Sequence, residues 1–234
     1  MKKILPILTV VFVSFFVFLF QNRLNSIITP ITGNYQIKQS QMEFSHAAVN
    51  LPEFYPFFEE VTRTESAGID ELVGLFAPDN FEFKIIQQPP NHPEYVSEQV
   101  DSLTEFSLAK SETSTGLLAH NYLAGKYFSN LEIDDLLITI SADKTISIYQ
   151  INEISSYQAL QPDNPYSNYK DTENPNQLLS STALFKEIYR DSQTLVLQTC
   201  IAQDGQPSWG RLFIKAVLVE NTNLSSLLSQ ITNN

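Results

Sequence analysis

Along this chain the rhythm of apolar and polar positions changes twice. Ile4 to Phe20 runs without a charge, preceded by Lys2 and Lys3 and closed by Gln21-Asn22-Arg23. Its 17 residues sit at the lower edge of the roughly 17–25 that cross a bilayer as a helix. Lysines ahead of the stretch predict a cytoplasmic N-terminus with the rest of the chain outside. A cleaved signal peptide competes with this reading, but its apolar region runs about 7–15 residues, and no small-x-small cleavage site follows here. We expect a retained signal anchor over residues 1–25, leaving a single-pass membrane protein.

Residues 26–45 are polar and mixed and read as a stalk leading away from the membrane. Residues 46–78 carry aromatics without a clean period, then Ile69 to Phe76 as a short helix candidate. From Phe81 the rhythm shifts to short β-like runs: Phe81–Ile86, Leu136–Ile140, Thr145–Ile151, Thr194–Ile201 and Arg211–Val219. Thr145 to Ile151 alternates as a half-buried strand does, with Asp143-Lys144 as a hairpin turn before it. Gln88 to Pro93 and Gln161 to Pro165 are proline-marked loops, and Thr182 to Tyr189 is the one clear late helix. Many short strands without β–α alternation predict a mostly β fold, an antiparallel barrel or sandwich. The expected organisation is an anchor (1–25), a stalk and extension (26–79), a barrel domain (80–221) and a tail (222–234).

Composition narrows the partners. The formal net charge is -12, from 14 Lys+Arg against 26 Asp+Glu, with no basic stripe, so nucleic acid is not expected. No glycine-rich phosphate loop is present. Asp134-Asp135 lacks further ligands at metal spacing and reads as a solvated turn. One cysteine without paired histidines argues against zinc. No cofactor is expected.

Cys200 is the only cysteine, so outside the cytoplasm it has no partner within the chain for a disulfide. In a strand over 194–201, alternation puts Thr194, Val196, Gln198 and Cys200 on one face. Leu195, Leu197, Thr199 and Ile201 fall on the other, which must pack in the core. Residues 202–210 form a loop, so Arg211, opening the partner strand, lies close to Cys200. A thiolate is a nucleophile, an arginine can hold a developing oxyanion, and a histidine can move the proton that amide cleavage needs. Of the three histidines, His120 is the functional candidate, because His46 lies in the stalk and His92 in a proline-rich loop.

These residues carry a resemblance. Leu117-Leu-Ala-His-Asn-Tyr-Leu-Ala-Gly-Lys-Tyr-Phe-Ser-Asn-Leu131, Asp134-Asp-Leu-Leu-Ile138, Leu197-Gln-Thr-Cys200 and Trp209-Gly-Arg-Leu-Phe-Ile-Lys-Ala216 resemble a sortase over roughly residues 80–220. The resemblance implies an eight-stranded β-barrel and a membrane-anchored cysteine transpeptidase. Such enzymes cleave a sorting motif, typically Leu-Pro-x-Thr-Gly, near the C-terminus of a secreted protein. They pass the acyl group from the cysteine to an amine on a cell-wall peptide or a pilin lysine. By motif, Cys200 would be the nucleophile, His120 the general acid/base and Arg211 the oxyanion or substrate-positioning residue. Thr199, Asn121 and Trp209 are weaker positioning candidates. The chain departs from the family pattern at Asp134-Asp135, where a Gly-Asp pair is usual.

Two other readings stay open. A silent barrel would serve as a surface binding or scaffold module, with a structural Cys200, an edge-strand Arg211, or a groove filled by the polar 153–181 segment. A hydrolase would use the same acyl-enzyme with water as acceptor.

Overall fold

The computed structural model describes residues 51–63, 68, 70–112 and 114–219. The expected anchor, most of the stalk and the tail lie outside the described residues. Among those described, no helix is long and apolar enough to cross a membrane.

Among the described residues ten strands form one sheet: β1 (Leu72–Ala77), β2 (Phe81–Gln87), β3 (Ser102–Glu105), β4 (Thr115–Ala119), β5 (Leu136–Ser141), β6 (Ile146–Ala159), β7 (Asn168–Asp171), β8 (Leu178–Ser180), β9 (Thr194–Gln203) and β10 (Gln206–Leu218). The order β10-β9-β4-β3-β2-β1-β5-β6 closes on itself through a β10–β6 pairing, and β7-β8 extend outward from β6. The expected eight-stranded barrel is therefore present, with a two-strand flap added. The β2–β3 and β4–β9 pairs are parallel and the remaining pairs antiparallel.

Three apolar clusters hold this shape. The barrel interior contains Leu75, Phe83, Leu103, Leu117, Leu195, Leu197 and Ile214. Helix α1 (Leu51–Val61) covers the outside of β1 and β5, setting Phe54, Phe57 and Val61 against Phe76, Ile138 and Ile140. Helix α2 (Ser181–Tyr189) covers the outside of β9 and β10, setting Leu184, Ile188 and Tyr189 against Val196 and Phe213. Its first turn is capped by the Ser180 hydroxyl, which accepts from the Ala183 amide at 3.2 Å.

The helix expected over Ile69–Phe76 is instead strand β1, so the barrel begins inside the segment read as extension. Its residues from Val73 on are all buried, and burial on both faces erases the alternation that marks a strand. Helix α1 was not foreseen, since Pro56 sits within it and proline ordinarily argues against helix. Its buried positions nevertheless follow helical spacing (54, 57, 61). Strand β6 runs past the expected Ile151 to Ala159, across a register shift opposite Lys215/Ala216. At the Asp134-Asp135 turn, Asp134 takes φ 76°, the left-handed conformation that a glycine adopts without cost.

Candidate functional site

Strand β9 serves two layers. Leu195 and Leu197 fill the barrel, and Thr199, 5% exposed, follows them inward. The Thr199 hydroxyl donates to the Ala119 carbonyl at 2.9 Å. Thr199, a weaker positioning candidate by motif, thereby ties β4 to β9 from the barrel interior. On the outer face Val196 lies beneath α2, and Gln198 accepts a hydrogen bond from the Tyr189 hydroxyl at 2.8 Å. Cys200 comes next on that face, half-buried and a free thiol.

Strand β10 returns with Arg211 directly opposite Cys200. Opposed residues share a face of the sheet, so both side chains belong to the outer layer. The Arg211 Nη1 donates to the carbonyls of Gly210 (2.9 Å) and Ser208 (3.3 Å), and its guanidinium lies 6.0 Å from the centre of the Tyr169 ring. These partners are neutral. Among the described residues Arg211 forms no ion pair, so its charge remains available to an anionic group.

Strand β4 runs parallel to β9 on the other side, with Ala119 opposite Thr199. Cys200 continues β9, whereas His120 is the first residue beyond the end of β4. Neighbouring strands lie about 4.8 Å apart, so the end of β4 brings His120 to the neighbourhood of Cys200, whose paired residue on its other side is Arg211. The His120 side chain is 29% exposed. Its carbonyl accepts from the amides of Leu123 and Gly125, both at 3.0 Å, folding the chain into a 3-10 segment, Ala124–Asn130. That segment plugs this end of the barrel with Ala124 and Phe128.

Gly125 makes the plug possible. A Cβ there would meet the Thr199 hydroxyl oxygen and lie 2.8 Å from the His120 carbonyl. The Asn121 amide donates to the Pro207 carbonyl at 2.9 Å, tying the histidine loop to the start of β10. Trp209 is half-buried two residues further along β10.

Several contacts escaped the sequence reading because they cross the fold. Tyr169, from the flap, reaches Arg211, placing part of the 153–181 segment beside that guanidinium while Cys200 stays half-buried. Glu98, from the β2–β3 connection, approaches His120 with its Oε1 3.6 Å from Nε2. Among the described residues no group of acidic, histidine or cysteine side chains is arranged to hold a metal ion. A separate cavity of about 640 Å³ opens between α1 and the β1–β2 turn, lined by Glu53, Phe76, Asp79, Phe81 and Glu82. It contains none of the candidate residues.

No protein-family model matches the chain, and no curated protein does. Solved structures similar to it include sortase C from Clostridium perfringens SM101, at 11% identity and TM-score 0.40, covering 73% of this chain and 90% of that one. Sortase C-1 from Actinomyces oris is similar at 11% identity and TM-score 0.44, covering 71% and 81%. Sortase A from Corynebacterium diphtheriae is similar at 12% identity and TM-score 0.44, covering 71% and 70%. Values this low carry no residue role or activity across to this chain.

Proposed function

We propose that this chain is a sortase-type cysteine transpeptidase, anchored in the membrane by residues 1–25 with the barrel outside the cell. The observation that carries the reading is the strand register, with Arg211 opposite Cys200 and His120 following the last β4–β9 pair, Ala119 and Thr199. The residue motifs around these three positions add to it.

In the first step the Cys200 thiolate attacks the carbonyl carbon at the scissile bond of a C-terminal sorting-signal peptide. Arg211, unpaired with any carboxylate, faces the oxyanion that develops. The C–N bond breaks as His120 gives its proton to the leaving amine, and a thioester to Cys200 remains. In the second step an amine, from a cell-wall peptide or a pilin lysine, attacks the thioester. The proton it releases returns to His120, and the thiolate leaves. Water in place of the amine would give hydrolysis by the same route.

The test uses the full chain and a sorting-motif peptide bearing an electrophile at the scissile threonine. Labelling should require Cys200, vanish in Cys200→Ala, and slow by about 10²–10³-fold in Arg211→Ala, the usual cost of losing an oxyanion donor. His120→Ala should stall turnover of a cleavable peptide. A wild type inert to the peptide and to a small alkylating reagent would make Cys200 structural and the barrel a silent binding module.

A further inference from the structure

His120 has a second layer of partners that the proposed reaction does not use. Glu98 Oε1 lies 3.6 Å from its Nε2. The Tyr122 hydroxyl donates to both Glu98 oxygens, at 3.1 and 3.3 Å. The Tyr122 ring stacks on the imidazole with centroids 5.1 Å apart and planes at 21°. Partial desolvation, then the hydrogen bond to Glu98 and its charge, push the Tyr122 hydroxyl above its ordinary value, so it stays a donor.

Glu98 is 74% exposed, and an exposed side chain is ordinarily free to wander. Its backbone is not. Ser97 beside it is 3% exposed, and its amide donates to the Thr104 hydroxyl at 2.8 Å. The Ser97 hydroxyl accepts from Ser102 at 2.9 Å and from the Gln99 amide at 3.1 Å. Strand β3 thus fixes the chain on either side of Glu98, and Tyr122 fixes its carboxylate from the other side.

We infer that Glu98 and Tyr122 are positioning residues for His120, reserving Nε2 for the Glu98 carboxylate and leaving Nδ1 to exchange protons in the site. This inference rests on the transpeptidase reading for its role in turnover. At 3.6 Å the contact is too long for a hydrogen bond and acts as a charge contact when the imidazole is protonated. A carboxylate on one ring nitrogen favours the proton there, which exposes the lone pair of the other. The Cys200 proton then passes to Nδ1, and from Nδ1 to the leaving amine. Glu98 and Tyr122 neither gain nor lose a proton.

The experiment compares the full-length wild type with Glu98→Gln, Tyr122→Phe and the double variant. It reads the His120 ring nitrogen and carbon resonances together with kcat and KM for a cleavable sorting-motif peptide. Glu98→Gln should shift the His120 resonances and lower kcat by about 2- to 5-fold, the scale of an exposed charge pair, with KM and melting temperature unchanged. Tyr122→Phe keeps the stacked ring and acts only through Glu98, so the double variant should be no slower than Glu98→Gln alone. Unmoved His120 resonances in Glu98→Gln would overturn the inference whether or not the peptide is turned over. Shifted resonances with unchanged kcat in an active enzyme would overturn the catalytic part. Failure of Cys200 labelling in the wild type sinks the transpeptidase reading, and with it any role for the pair in turnover.

Discussion

The two halves of β9 belong to one strand and behave as different materials. From Thr194 to Leu197 every residue is buried, clamped between the barrel interior and α2. From Gln198 onward only Thr199 is buried, and the outer face opens at Cys200. The first half supplies rigidity and the second supplies access. A nucleophile needs both, because its geometry must be held while one side admits a substrate. The barrel meets this by ending its outer layer at the Tyr189–Gln198 hydrogen bond, one inward-facing residue short of the thiol.

The largest expected effect breaks the closed half. Leu197 is 0% exposed in the barrel interior, so Leu197→Ala removes buried methyls and leaves a cavity. We expect a loss of about 2–5 kcal/mol, read as a lower denaturant midpoint with unchanged slope. A cost under about 1 kcal/mol would mean that the interior collapses around the gap, and the half-strand would not be the rigid support described.

The next effect falls at the junction of the halves. Gly125→Ala drives a methyl onto the Thr199 hydroxyl and the His120 carbonyl. Backbone must give way, at about 1–3 kcal/mol, the ordinary range for overpacking. The loop that moves carries His120, so labelling at Cys200 should persist while turnover falls. Equal retention of both would show that the plug does not set the histidine.

How far the sequence revealed these halves depends on where each contact originates. The nearness of Cys200 and Arg211 was readable because one short connection joins their strands, but their direct pairing depends on a register shift between Gln206 and Gly210 that the pattern does not carry. The aliphatic face of β9 was readable from simple alternation. Strand β1 was not, since burial on both faces removes the alternation and leaves an apolar run that reads equally as helix. The far half of β6 was hidden by its register shift near Asn152, which breaks the period. Glu98, Tyr169 and the steric role of Gly125 depend on chain segments meeting across the fold, and no local pattern carries that information. The membrane anchor remains a reading of charge and hydropathy alone.

The smallest effect sharpens the boundary itself. Tyr189 is fully buried, packed edge-on against Phe106 and tilted against Phe185, and its hydroxyl donates to Gln198. Tyr189→Phe keeps the rings and removes one hydrogen bond, so near neutral pH it should cost about 0.5–1.5 kcal/mol. Alkaline titration separates this bond from packing. Burial pushes the Tyr189 hydroxyl far above its ordinary value, so the fold favours its neutral form. That contribution is complete below the unfolded value near 10 and is lost as pH rises beyond it, at up to about 1.4 kcal/mol per pH unit for one group. Tyr157, pushed up first by burial and then by Glu187, adds to the same decline. The wild type should therefore lose stability above about pH 10 more steeply than Tyr189→Phe, and the variant should keep the shallower decline due to Tyr157 and Tyr149, whose hydroxyl burial also pushes up. Parallel curves for the two proteins would mean that water reaches Tyr189, and that the closed half of β9 ends earlier than Gln198.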